Sequence, residues 1–289
     1  MRAKNTREKY SVSEVPMVTL NDGNTIPQLG LGVYQVAPDK TVETVRKALA
    51  TGYRHIDTAE MYQNEAEVGE AVAVSGINRA DIFITSKLNN GFHKPEAARQ
   101  AFAETLRKLQ TDYIDLFLIH WPLPRNPEVD YVETWKVMEE FKHDGRARSI
   151  GVSNFQVPHL ERLLQECDTV PAVNQIELHP YFQNREVAAY NQDHQIVTEA
   201  WSPIARGDVV NDQTILAIAE EVNRTPAQVT LRWHIQHGFV VFPKSVTPAR
   251  IEENYAIFDF VLSDEQMQQI NELDRGEDGR HGPNPDTLN

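Results

Sequence analysis

The chain has 289 residues, with 28 Lys+Arg against 42 Asp+Glu for a formal net charge of −14, and a single cysteine, Cys167. So acidic a surface repels nucleic acid and anionic lipid, and any anion site has to be a local basic cluster. One cysteine excludes an intramolecular disulfide and fits a reducing compartment, and no stretch approaches the roughly 20 apolar residues of a membrane span.

Residues 1–15 are polar and charged, with Arg2, Lys4, Arg7 and Lys9, and no apolar run follows them. They read as a disordered extension of a cytoplasmic protein, with a processed targeting segment as the alternative, and not as a secretory signal. Residues 16–289 then read as one domain, a length that suits a (β/α)8 barrel, which takes about 250 residues plus extensions. Val18 to Leu20 and Thr25 to Pro27 flank Asn21-Asp22-Gly23-Asn24, a hairpin signal. Leu29 to Tyr34 is a short strand with Gly30 and Gly32. GxGxxG is not completed, so a Rossmann phosphate loop has no basis.

From here strands and helices alternate. Val42, Val45 and Leu49 mark a helix stopped by Gly52, followed by strand 55–59. Val68, Ala71 and Val72 mark the next helix, followed by strand 82–86. A helix over Ala98, Phe102, Leu106 and Leu109 precedes strand 114–119, and one around Trp135 and Met138 precedes strand 149–152. Leu160, Leu163, Leu164 and Cys167 mark a fifth helix, with Cys167 expected as a buried apolar residue on it. Strand 172–177, a helix from about 185 to 194 and strand 196–200 come next. Thr225-Pro226-Ala227-Gln228 and Ser263-Asp264-Glu265-Gln266 are capping boxes that open helices. Between them lie strand 240–243 and a helix opened by Thr247-Pro248, and the tail from Gly276 reads as irregular. Eight β units alternating with helices imply parallel strands.

Polar groups stand at or just beyond several strand ends: Asp57 and Tyr62, Lys87, His120, Ser153-Asn154, and Lys244-Ser245. An open doubly wound sheet concentrates its ligand contacts at one switch point. Groups spread over many strand ends favour a closed barrel with its site at one mouth. Asp57 beside Lys87, with Lys87 beside Tyr62, makes a tuned proton donor, because an ammonium favours the phenolate. His120 can orient the same substrate oxygen. The set suits protonation of a carbonyl oxygen while hydride reaches the carbon. Each residue alone reads better as part of a structural ion pair, a loop aromatic or a buried histidine; four at one mouth shift the balance. Lys244 and Arg250 straddle a helix N-terminus, a local anion site in an acidic protein. Neither CxxC nor HExxH occurs, so no metal site is predicted.

The segments Gly52-Tyr53-Arg54-His55-Ile56-Asp57-Thr58-Ala59, Ile150 to Phe155, Val173 to Pro180 and Phe242-Pro243-Lys244-Ser245 resemble those of aldo-keto reductases. The likeness runs from about Val18 to Asp286. Leu20 to Asn24, Thr225 to Gln228 and Gly238 to Ser245 are most similar to bacterial 2,5-diketo-D-gluconate reductases. The resemblance implies a (β/α)8 barrel with an N-terminal hairpin, an extra C-terminal helix and a tail. It implies a tetrad of Asp57, Tyr62, Lys87 and His120, with Tyr62 as general acid, and NADPH as cofactor. Ser153, Asn154 and Gln175 would hold the carboxamide, and Trp201, followed by Ser202 and Pro203, would stack on the nicotinamide. Lys244, Ser245, Val246 and Arg250 would grip the 2′-phosphate, with Glu253 and Asn254 at the adenine. Thr247 stands where some relatives have another basic residue, which narrows the margin of NADPH over NADH.

Substrate would enter over Tyr34, Asn89, His120 and Trp121, through a mouth kept open by a short loop before Tyr131. The tail, residues 277–289, is placed either across that mouth or free. The expected activity is reduction of small aldehydes or ketones, keto-sugar acids among them, by a monomer that binds neither nucleic acid nor membrane. A cofactor-binding regulatory subunit and a phosphate-handling isomerase or lyase are the alternatives on the same barrel.

Overall fold

The structure is a computed structural model that describes residues 15–288; the expected N-terminal extension therefore lies outside the described residues except for Val15, which packs against the core. The hairpin forms as expected, with β1 (Met17–Thr19) antiparallel to β2 (Thr25–Pro27). Eight parallel strands follow: β3 (Leu31–Gly32), β4 (His55–Asp57), β5 (Phe83–Leu88), β6 (Ile114–Ile119), β7 (Ala147–Ser153), β8 (Val173–Glu177), β9 (Val197–Trp201) and β10 (Val240–Val241). Each pairs with the next in chain order. The ring closes where Leu29 meets Val241 and Gly32 meets Lys244 in parallel bridges. Gly30 N–H donates to Val241 O (2.7 Å) and Val241 N–H to Gln28 O (3.0 Å) across the seam. Gly32 is required there, since a Cβ would lie 2.6 Å from Phe242 O.

The hairpin plugs the N-terminal end of the ring. Leu20 and Ile26 bury against Phe83, Leu116, Leu118, Ala172, Val173 and Val240. Asn21 Nδ2 donates to Pro171 O (2.9 Å), and Asn24 Nδ2 to Arg148 O and Ser149 Oγ (both 3.1 Å). That leaves the C-terminal mouth for function.

The helices wrap the outside: α1 (Pro38–Thr51), α2 (Glu65–Ala73), α3 (Pro95–Leu109), α4 (Tyr131–His143), α5 (Val157–Glu166), α6 (Arg185–Asp193), α7 (Gln213–Glu221), α8 (Pro226–Gln236), α9 (Pro248–Tyr255) and α10 (Asp264–Asn271). Both capping boxes are formed. The helices turn their apolar residues into a core shared with the strands; Phe102 of α3 stacks on Phe141 of α4 at 4.0 Å over Phe117 of β6. Among the described residues no helix is long and apolar enough to cross a membrane.

The structure departs from the sequence-based expectation at three places. Strand β5 continues to Leu88, so Lys87 lies within the strand and points from its pleat instead of following it. Helix α7 was not expected; Asp212 caps it, accepting from the N–H groups of Thr214 and Ile215. Cys167 lies just past the end of α5 and is only partly buried, because the apolar periodicity outlasts the helix by one residue.

Candidate active site

Alternation along β4 turns His55 and Asp57 to one face, and their contacts place that face inside the ring. Beyond β4, Thr58 Oγ donates to Asn64 Oδ1 (2.8 Å) and Asn64 Nδ2 to Val33 O (2.9 Å), which folds the chain into a 3-10 turn over Glu60–Tyr62. The turn brings Tyr62 back over the strand ends. Lys87 Nζ donates to Asp57 Oδ1 (2.8 Å), Thr58 O (2.8 Å) and Tyr62 OH (3.3 Å), using all three of its hydrogens. His120 follows β6 and meets Tyr62 edge-on, ring centroids 5.8 Å apart. All four expected tetrad residues therefore share one mouth.

Burial works against every charge here. Desolvation lowers Lys87, but the Asp57 carboxylate and Tyr62 outweigh it and hold the ammonium above its ordinary range. Burial raises Asp57 against the pull of Lys87 and Gln175. The 2.8 Å contact between them is an ion pair. Burial, with Lys87 second, keeps His120 neutral, far below the ordinary histidine range. Its Nδ1 has no hydrogen-bond partner, so a tautomer bearing the proton on Nε2 is free to donate. Tyr62 departs from expectation: desolvation outweighs Lys87 and pushes it up to about 12. Lys87 thus positions the phenol more than it acidifies it. The phenol remains a competent donor to a nascent alkoxide, whose basicity approaches that of hydroxide, with water near pKa 15.7.

At the ends of β7, β8 and β9 the expected carboxamide and ring contacts sit together. Ser153 Oγ donates to Gln175 O (2.8 Å). Asn154 adopts φ 65°. Its Nδ2 donates to His120 O (2.9 Å) and its Oδ1 accepts the Trp201 indole N–H (2.8 Å). Asn154 therefore ties the expected stacking ring to the backbone of a tetrad residue. Ser202 is half-buried and Pro203 buried. Lys244, Val246 and Arg250 are exposed around the start of α9, while Ser245 is buried. Thr247 makes no side-chain cap there, and the adjacent carboxylate, Glu252, is taken by Lys47. Cations beside uncapped N–H groups fit a phosphate. Asn254 is buried, and Glu253 accepts the Thr225 hydroxyl (2.7 Å). Thr225 also lines a cleft of about 950 Å³ with Leu216, Asn223, Pro226 and Ala256. The cleft lies away from the tetrad but adjoins the residues expected at the adenine.

On the substrate side Tyr34 is 55 % exposed and leans on Tyr62, centroids 5.1 Å apart. Trp121 is half-buried. Asn89 braces its loop, its amide donating to Glu60 and accepting Gly91 N–H.

Apart from a 3-10 turn over Gly276–Gly279 the tail is irregular, as expected, but it is not detached. Glu177, at the end of β8, accepts the backbone N–H groups of His281 (2.6 Å) and Gly282 (2.8 Å) and pairs with His179 Nε2 (3.1 Å). Burial works against this carboxylate, but His179 and the two N–H groups hold it below its ordinary range. Gly282 lies so close to the Trp201 ring that a Cβ would sit 2.4 Å from it. Glu177, His179 and His281 also bring ligand-type atoms within 4.8 Å of one another. With the Glu177 oxygens already taken, the trio acts as a clamp on the tail.

Glu177, Asn64 and Glu199 were not singled out from the sequence. Glu199 did leave a signal, a carboxylate inside the run Ile196 to Ala200, where parallel strands buried on both faces are ordinarily apolar. It is fully buried and accepts Gln175 Nε2 at 2.8 Å.

The sequence profile of the Aldo/keto reductase family matches residues 27–275. "Methylglyoxal reductase DkgA" of Escherichia coli strain K12 is 48 % identical over 272 residues, covering 93 % of this chain and 97 % of that protein. An aldo-keto reductase of Mycolicibacterium smegmatis is 49 % identical over 274 residues, covering 95 % and 98 %. The crystal structure of a Gox0644 mutant in complex with NADPH superposes with a TM-score of 0.92 at 45 % identity, covering 96 % of this chain and all of that one. An aldo/keto reductase structure from Brucella melitensis gives 0.87 at 52 %, covering 90 % and 98 %. With a closed eight-stranded barrel, Asp57, Lys87, Tyr62 and His120 gathered at its mouth, and a profile match over most of its length, the chain belongs to the aldo/keto reductase family.

Proposed function

We propose that the protein is an NADPH-dependent reductase of small aldehydes and ketones, with uncharged 2-oxoaldehydes such as methylglyoxal as the preferred class. The observation that carries the reading is Lys87 spending one hydrogen on Asp57 and another on Tyr62 with His120 at the edge of the phenol. NADPH, when bound, supplies the hydride that reaches the carbonyl carbon. Trp201, Ser202 and Pro203 would hold its ring, Ser153, Asn154 and Gln175 its carboxamide, Lys244, Ser245, Val246 and Arg250 its 2′-phosphate, and Glu253 and Asn254 its adenine.

The carbonyl oxygen is oriented by His120 and takes the phenolic proton of Tyr62 as negative charge develops on it. Lys87 stabilises the phenolate left behind, and Asp57 keeps Lys87 charged and in place. The alcohol leaves, and Tyr62 regains a proton from solvent. The side chains assigned to substrate, Tyr34, Asn89, His120 and Trp121, include no cation, since His120 is neutral. That favours methylglyoxal over a keto-sugar acid such as 2,5-diketo-D-gluconate, whose carboxylate would lack a counter-charge. A 2-oxoaldehyde reductase is also what the Escherichia coli relative is named for.

The test is NADPH consumption with methylglyoxal, simple aldehydes and 2,5-diketo-D-gluconate, alongside Tyr62→Phe. Tyr62→Phe should lower kcat by about 10²- to 10⁴-fold with NADPH affinity intact. Tight NADPH binding without turnover of any carbonyl would count against the reading.

A further inference from the structure

A single nitrogen joins two buried carboxyl groups beneath the tetrad. Gln175 Nε2 donates one hydrogen to Asp57 Oδ2 and the other to Glu199 Oε2, both at 2.8 Å. None of the three residues is more than 1 % exposed. Register produces the bridge: Gln175 and Glu199 are direct neighbours on β8 and β9, and Asp57 reaches the same nitrogen from β4 on the opposite side of the ring.

The groups facing Glu199 leave it no counter-charge. From β5 comes Lys87, already committed to Asp57, and Thr85. From β4 comes His55, whose Nε2 is 3.1 Å from Thr85 Oγ and 4.0 Å from Glu199 Oε1. Burial drives His55 down to about 3, so it is neutral at physiological pH. From β10 the facing position is Val240. Glu199 Oε1 has no hydrogen-bond partner. A second buried anion would be unpaired in a low-dielectric interior, which disfavours ionisation. Consistently, burial and then Asp57 push Glu199 up to about 8.

We propose that Glu199 is a positioning residue for carbonyl reduction: held as a neutral acid, it accepts one N–H of Gln175, fixes the other on Asp57, and leaves the Gln175 carbonyl as that amide's remaining acceptor for the cofactor carboxamide. The proposal rests on the reading above that Gln175 meets the carboxamide. With Asp57 as its only acceptor the Gln175 amide has one anchor and keeps freedom to twist; an acceptor at position 199 takes its second hydrogen and fixes the plane of the amide.

Glutamine at 199 can accept the same N–H, and leucine cannot. NADPH affinity, read by quenching of tryptophan fluorescence, should fall about tenfold in Glu199→Leu, the worth of one unmade hydrogen bond, and be largely restored in Glu199→Gln. In the wild type, kcat should also decline above about pH 8 as Glu199 ionises, since a second negative charge beside Asp57 holds the Tyr62 proton more tightly. That decline should be absent in Glu199→Gln. The proposal is overturned if glutamine is as damaging as leucine, if leucine is harmless, or if the alkaline decline persists in Glu199→Gln. Gln175→Leu separates the two levels. Unchanged NADPH affinity there removes the carboxamide reading and the proposal with it; weakened affinity there beside an unaffected Glu199→Leu removes the proposal alone. Should Glu199→Leu fail to fold, the pH profile of Glu199→Gln decides.

Discussion

Replacing Glu199 by Gln should stabilise the protein at neutral and alkaline pH and leave its acid stability nearly unchanged. Glu199 is fully buried, and its carboxyl moves from an ordinary 4.5 to about 8 on folding. Between those two values the native state holds a proton that the unfolded chain has released. The stability tied to the protonated form is therefore fully present below pH 4.5 and is lost as pH rises through about 8. At about 1.4 kcal/mol per pH unit, the loss is about 3 kcal/mol by pH 7 and approaches about 5 kcal/mol in alkali. Gln carries no such proton. The difference in unfolding free energy between the two proteins, from urea titrations at several pH values, should widen by about 1.4 kcal/mol per pH unit across this window. Taking the difference cancels the other titrating groups, and a constant offset would reflect only the altered hydrogen bond. A difference that stays flat with pH would refute the reasoning.

Lys87→Met should cost about 3–5 kcal/mol of stability, since it strands the buried Asp57 carboxylate; the cost should shrink at acid pH, where Asp57 protonates, and denaturation at two pH values checks it. Arg250→Ala should weaken NADPH by about tenfold or more, the worth of a charge-assisted hydrogen bond, and leave NADH unaffected; equal weakening of both would remove the 2′-phosphate assignment. Gly282→Val should displace the tail, because a Cβ would lie 2.4 Å from the Trp201 ring and 2.9 Å from Glu177 Oε2. Limited proteolysis should then cut after Arg280 faster than in the wild type, and unchanged cutting would show that the clamp does not depend on this contact.

The barrel was legible because its strands are continuous apolar runs separated by strongly capped helices; the boxes at Thr225 and Ser263 form as read. Helix α7 escaped although Asp212 is of a type that opens helices, because its buried stripe is short, only Ile215, Ile218 and Ala219. The tetrad was legible because its members end strands or closely follow them. Lys87 lies inside β5, but the pleat still delivers it. What sequence could not give was the balance of burial against charge. A lysine beside a tyrosine suggests an acidified phenol, whereas desolvation outweighs the ammonium 3.3 Å away and leaves Tyr62 raised. Nor could it show the tail clamp, since Glu177 holds residues 281 and 282 by their backbone N–H groups, which leave no mark in side-chain pattern.

The seam of the ring bears on how the protein is made. Leu29 finds its neighbour only in Val241, and the hairpin docks on Arg148 and Pro171. As the nascent chain emerges, β3 presents a bare edge until nearly all the other strands have been synthesised, and an unpaired edge invites association with other chains. Closure over such a sequence separation is entropically late and slow. All four proposed catalytic residues have been translated by His120, yet the ring that carries them cannot close until β10 arrives. The proposed proton donor and its partners belong to the first half of the polypeptide, and the ring that holds them together is completed only by the second.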